Sequence, residues 1–140
     1  MMIKRWLVLA AVTAVAAALV AGAGATAGRD QFAGAWVGQE ASPPSGDGST
    51  NFMVIGRQSR NRSRTWLWYE TYATFCGGGP LAAAGKGRSD GQVLTVTVTR
   101  LRCANGSPGA IPTPFDLTFV ATTDGHLDFG GLIFSRIGSG

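Results

Sequence analysis

The sequence predicts an all-β fold: an antiparallel up-and-down meander of about eight strands, closed or partly open as a barrel, with one disulfide. Short β-branched and aromatic runs recur along the chain, bounded by Gly, Pro, Asn and Asp. Most links between these runs have hairpin length, and no amphipathic helix stands out after residue 27. A closed barrel has no exposed strand edges, which favours a barrel. A sandwich of the same strands is the alternative.

Turn-forming segments separate the first four predicted strands. These strands are expected over residues 33–39, 50–56, 65–74 and 81–89. The Pro/Gly segment 41–49 and the arginine-rich segment 57–64 supply the first two connections, and a Gly-Gly-Gly-Pro run over 77–80 interrupts the chain before the fourth strand.

The last four predicted strands show the clearest alternation. They are expected over residues 92–102, 115–122, 127–129 and 132–137, with Asp-Gly or Asn-Gly pairs in three of the connections. In the strand over 92–102, Leu94, Val96 and Val98 share the face that points inward, and threonines occupy the other face. Phe115, Leu117, Phe119 and Ala121 make the same inward set on the next strand, followed by Leu127 and Phe129.

The N-terminal 27 residues are typical of a secretory signal. Lys4 and Arg5 precede an unbroken apolar run over 6–21, and Ala25-Thr26-Ala27 fits a cleavage site. The sequence therefore predicts a signal peptide over 1–27 and a single domain over 28–140, secreted or extracytoplasmic, with no stable membrane insertion after cleavage. An uncleaved N-terminal anchor is the alternative.

Charge and cysteine content narrow the class of the predicted domain. Two of the 12 Lys and Arg residues lie in the leader, which leaves ten against eight acidic residues, so bulk charge does not favour nucleic acid. Arginine dominates over lysine, and Gly and Ala are abundant, a composition typical of GC-rich bacterial genomes. In an exported chain the two cysteines, Cys76 and Cys103, are expected to form the disulfide.

The two ends of the predicted barrel resemble lipocalin and calycin-type proteins. The first strand carries Gly34-Ala35-Trp36 and the last carries Phe134-Ser135-Arg136. In that family a G-x-W tryptophan plugs one end of the barrel and an arginine of the last strand packs over its ring. The resemblance implies that Trp36 and Arg136 form this structural pair, and that a small molecule binds inside the barrel.

The third predicted strand carries more aromatic residues than a simple core needs. Trp66, Trp68, Glu70 and Tyr72 share one face by alternation. Facing inward they would line a pocket, facing outward they would form a surface patch, and plain core packing is the third interpretation. Arg100 continues the inward phase of its own strand, so it could pair with Glu70 or a ligand carboxylate, lie at the rim or be turned out by a bulge.

Catalytic and metal-binding signals are weak, and no enzyme activity is expected. His126 is the single histidine, and it shares a face with Asp124 and Asp128, which is a poor ligand set for a transition metal. No nucleophile elbow or comparable motif occurs. The sequence therefore predicts no catalytic residues, no metal and no cofactor.

The leading functional hypothesis is an exported, non-enzymatic barrel that binds a small apolar or amphipathic ligand. Trp66, Trp68, Tyr72 and Arg100 are the predicted ligand-binding residues. The alternative is a secreted interaction module, an inhibitor or cell-envelope-binding protein, with a solid barrel and binding loops over 41–49 and 57–64. A cavity in the barrel favours the first hypothesis, and a filled interior favours the second.

Overall fold

Eight antiparallel strands form a closed barrel in the computed structural model, which describes residues 30–106 and 112–138. The strands are β1 (Gly34–Gln39), β2 (Thr50–Ile55), β3 (Arg64–Ala73), β4 (Gly79–Asp90), β5 (Val93–Cys103), β6 (Phe115–Ala121), β7 (Leu127–Phe129) and β8 (Leu132–Arg136). Each strand pairs with its neighbour in the chain, and β1 pairs with β8 to complete the ring. The predicted all-β meander is confirmed, and closure decides between barrel and sandwich.

The predicted signal peptide over 1–27 lies outside the described residues. From Gln31 onward the chain belongs to one compact unit. In the described part of the chain, no helix combines the length and apolar character needed to cross a bilayer.

Small residues on the inward side of β4 shape the interior. Ala83 pairs with Trp68, and Gly85 pairs with Trp66, so the two indoles occupy the space that β4 leaves free. A Cβ atom on Gly85 would lie 2.2 Å from the Thr97 carbonyl oxygen of β5, so the close approach of these strands requires glycine. Glycine at position 85 is therefore a packing requirement.

Two β-bulges change which residues face inward. The register between β3 and β4 shifts between Glu70 and Ala73, which turns Tyr72 outward. The register between β4 and β5 shifts after Val98, so Leu101 is half-buried and Arg100 is exposed. Simple alternation would place Tyr72 and Arg100 on the inward face, and this is wrong. For Arg100, one of the predicted alternatives, a bulge that turns the side chain outward, is present.

One end of the barrel, termed the closed end, is plugged by Trp36 and the chain that precedes β1. The Arg136 guanidinium carbon lies 4.4 Å from the centroid of the buried Trp36 ring, and the indole Nε1 donates to the Phe32 carbonyl at 2.9 Å. Arg136 also donates to the carbonyls of Ala33 and Gln31. A Cβ on Gly34 would lie 2.7 Å from Arg136 Nη1, so the glycine of the G-x-W triplet makes room for the guanidinium.

The opposite end, termed the cavity end, is held by the disulfide. Cys76 in the short 3₁₀ turn after β3 bonds to Cys103 at the end of β5, which confirms the predicted pairing. A second apolar cluster surrounds the bond, with Ala73 and Leu81 buried and Phe75 and Leu101 partly buried against them. The disulfide thus fixes the β3–β4 connection against the end of β5.

Replacing Arg136 with alanine should destabilise the protein by about 2–4 kcal/mol, because a cation–π contact and charged hydrogen bonds are lost together. Urea unfolding followed by tryptophan fluorescence measures the change. Arg88→Ala, which removes an exposed arginine from β4, is the matched control and should cost no more than about 0.5 kcal/mol. Equal effects of the two substitutions would contradict the structural role of Arg136.

Candidate functional site

The interior contains an apolar cavity of about 180 Å³ toward the cavity end of the barrel. Its lining combines residues from β3, β4, β5, β6 and β7 with Phe75 from the 3₁₀ turn. Phe115, Leu117 and Phe129 face the interior and yet remain partly exposed. Solvent therefore reaches the cavity between these side chains.

Aromatic rings build the floor of the cavity. The Trp68 ring packs against Phe119, Phe129 and Phe134 at centroid distances of 5.9, 5.6 and 5.3 Å. Trp66 lies 5.7 Å from Trp68 and closes the side toward the closed end. Tilted and edge-on contacts of this kind are arrangements that aromatic rings prefer, so the floor is a packed aromatic cluster.

Trp66 carries an unpaired hydrogen-bond donor in the interior of the barrel. Its side chain is buried, and its Nε1 has no acceptor among the described residues. Leaving a buried donor unpaired costs about 1–3 kcal/mol. Because the nitrogen atom is itself enclosed, Trp66 offers the cavity the apolar part of its ring.

Among the described residues that line the cavity, Glu70 is the single charged one. It follows Trp68 on the inward face of β3 and is 9 % exposed. Burial raises the pKa of Glu70 to about 7, with further increases from the negative charges of Glu40 and Asp47, while a hydrogen bond with Ser49 opposes the shift. The carboxyl group therefore changes charge near neutral pH.

Three carboxyl groups meet beside the cavity. One oxygen from each of Glu40, Asp47 and Glu70 lies within 4.8 Å of the others. Burial is also the main reason that the pKa of Glu40 is raised. Calcium takes about six to eight oxygen ligands, so these three side chains would supply only part of a calcium shell.

Asn51 connects this acidic cluster to the aromatic floor. The Asn51 amide is fully buried, donates to Glu40 Oε1 at 3.2 Å and accepts from Trp68 Nε1 at 3.1 Å. Because both sides of the amide are used, Asn51 fixes the Trp68 ring and the Glu40 carboxylate relative to each other. The cavity wall and its acidic edge are thus one hydrogen-bonded unit.

The structure places the four predicted ligand residues in two different settings. Trp66 and Trp68 line the cavity, whereas Tyr72 is 57 % exposed on the outer side of β3. Arg100 is exposed on the outside of β5 and does not line the cavity. The outer face of β3 also carries exposed apolar residues, Leu67 and Tyr69, so both faces of this strand are partly apolar.

The other singled-out polar residues lie outside the cavity. His126 Nε2 is 3.7 Å from Asp124 Oδ2, and its Nδ1 is 3.3 Å from the Ser135 hydroxyl, all at the barrel surface. The arginines of segment 57–64 other than Arg64 are exposed at the β2–β3 connection. Neither group contacts the cavity.

Sequence reasoning offered Glu70 as a polar group beside Trp66 and Trp68, but it missed Glu40, Asp47 and much of the apolar lining. Glu40 and Asp47 flank a loop whose path brings them back to Glu70, and no local pattern predicts that meeting. Leu101 enters the lining only through the β5 bulge. Leu117 and Phe129 were placed inward by alternation, although their contact with a cavity was not foreseen.

Comparisons with models of protein families, with curated proteins and with solved structures give no match for this chain.

Ionisation of Glu70 should make the protein less stable as the pH rises. The pKa of this carboxyl is about 4.5 when unperturbed and about 7 in the folded protein, so the folded state binds more protons between those values. The free energy of unfolding should therefore fall by roughly 1–2 kcal/mol between about pH 5 and pH 8, after allowance for solvent screening.

Glu70→Gln should remove most of this dependence and stabilise the protein at the alkaline end, which urea unfolding at several pH values measures. The raised pKa of Glu40 also makes the free energy of unfolding fall as the pH rises, and this dependence should remain in the variant. An unchanged slope in Glu70→Gln would contradict the raised pKa of Glu70.

Proposed function

We propose that this protein is an exported, non-enzymatic barrel that binds a small apolar or amphipathic molecule in the cavity above Trp68. The observation that carries the proposal is the cavity itself, an apolar space with an aromatic floor that solvent can reach. Pockets of this character, mostly apolar with a few placed polar groups, are typical of small-molecule sites.

The size of the cavity limits the ligand. An apolar cavity of about 150 Å³ accepts one benzene molecule, and small-molecule sites for larger ligands usually span about 300–1,000 Å³. The volume of about 180 Å³ found here suits a single ring or a short branched chain. Long-chain fatty acids are too large for the space as it stands.

The cavity favours ligand binding over the interaction module with a solid barrel. A solid barrel fills its interior with its own side chains, whereas here the small side chain of Ala83 leaves space next to Trp68.

Export and the lipocalin-like relationship belong to the same proposal. The N-terminal signal pattern and the disulfide support an extracytoplasmic site of action. The Trp36–Arg136 contact at one end of an eight-stranded meander supports a lipocalin-like barrel. We expect no catalysis, since the cavity offers one carboxyl group and no nucleophile beside a base.

Filling the cavity from β4 tests the proposal. Ala83 faces the cavity from β4, so Ala83→Leu should occupy part of the space and weaken binding of 2-phenylethanol at least tenfold. Isothermal titration calorimetry measures the affinity, and Trp66 and Trp68 fluorescence provides a second readout. Cavity filling of this kind commonly stabilises a protein by about 0.5–2 kcal/mol, so loss of fold is not expected.

Ala82→Leu is the matched control, because Ala82 is the neighbouring residue on β4 and its side chain is exposed. It should leave the affinity unchanged. Equal affinity of Ala83→Leu and the wild type, or no binding by the wild type, would contradict ligand binding in the cavity.

A further inference from the structure

We propose that the ligand is a small amphipathic amine, whose protonated head binds beside Glu70 while its apolar body fills the cavity over Trp68. This inference rests on the proposed function and adds the chemical class of the ligand. Three features support this ligand class: the cavity lining, the charges beside it and the hydrogen-bonding capacity that Glu70 leaves unused.

Glu70 lies at the edge of the apolar space. It follows Trp68 by two residues on the inward side of β3, so its side chain and the indole line the same cavity, and its carboxyl group lies toward Glu40 and Asp47. The other lining side chains are aromatic or aliphatic. A bound molecule therefore meets an apolar floor and one charged group, and the charge is negative.

The Glu70 carboxylate has hydrogen-bonding capacity that its neighbours leave unused. An ionised carboxylate can accept about four hydrogen bonds. The Ser49 side chain is the hydrogen-bond partner identified for Glu70 within the described residues. Asn51, which pairs with Glu70 across the β2–β3 ladder, uses its own amide for Glu40 and Trp68. A donor-bearing ligand would supply the missing hydrogen bonds.

The surroundings of Glu70 are negatively charged. Glu40 and Asp47 bring two further carboxyl groups to within 4.8 Å, and both add to the negative potential at Glu70. Across the described ranges 30–106 and 112–138, no lysine or arginine forms a salt bridge with any of the three. The site is complementary to a cation, and it repels a carboxylate or phosphate head.

This charge pattern changes the ligand class that the sequence suggested. An inward Arg100 would have favoured a ligand carboxylate, as in a fatty acid. The β5 bulge places Arg100 on the outer surface, and the acidic edge takes its place beside the cavity. The expected head group is therefore of opposite charge.

Three ligands with the same ring and linker test the inference: 2-phenylethylamine, 2-phenylethanol and 3-phenylpropionate. They differ in carrying a cationic, neutral or anionic head, and their single ring suits the cavity. Calorimetry at about pH 8, where most of the Glu70 carboxyl is ionised, compares their dissociation constants. The amine should bind roughly tenfold to a hundredfold more tightly than the alcohol, since a hydrogen bond to a charged group exceeds a neutral one. The propionate should bind most weakly.

Two variants separate the head group from the apolar site. Glu70→Gln keeps the size of the side chain, so it should bring the affinity for the amine down to that for the alcohol and leave the alcohol affinity within about twofold. Asp116→Asn makes the same change of charge on the outer face of β6, away from the cavity, and should preserve the preference for the amine.

The outcomes distinguish the two proposals. Binding of the alcohol with no preference for the amine, or an amine preference that survives in Glu70→Gln, would overturn the assigned head group and leave ligand binding intact. Failure of all three compounds to bind the wild type would overturn both. A preference for the amine that Glu70→Gln removes and Asp116→Asn retains supports both.

Discussion

The packing of Trp66 and Trp68 against the small inward residues of β4 is the contact on which the interior depends. Gly85 brings β4 and β5 so close together that no side chain fits between them, and Ala83 leaves the neighbouring space nearly empty. The Trp66 and Trp68 indoles of β3 fill the part of this space that lies next to them. The space that remains beyond them, bounded by Val98, Leu117 and Phe129, is the cavity. The same cross-strand pairing thus produces both the core and the cavity.

The two ends of the barrel have different physical tasks. At the closed end, Arg136 covers Trp36 and ties the last strand to the chain before the first, so closure is sealed by a cation–π contact and hydrogen bonds. At the cavity end, the disulfide holds the rim while Glu70 stays buried at a cost in stability near neutral pH. Costly buried charges are often found at functional sites, which agrees with the role proposed for Glu70.

Local patterns were sufficient for the strands and insufficient for the site. Alternation in Leu94, Val96 and Val98 fixes the inward face because one side of a barrel strand must be buried, and the predicted strand ends lie within about two residues of those observed. Alternation failed at Tyr72 and Arg100, since a bulge inserts one residue and reverses the phase without a local sequence signal. The meeting of Glu40 and Asp47 with Glu70 depends on the path of a loop, which composition alone does not determine.

A crystal structure determined under xenon pressure tests the central claim most directly, because xenon enters accessible apolar cavities and is visible by its scattering. We expect a xenon atom inside the barrel, in contact with Trp68, Leu117 and Phe129. A barrel whose interior side chains fill this space, with no xenon bound there, would contradict the account.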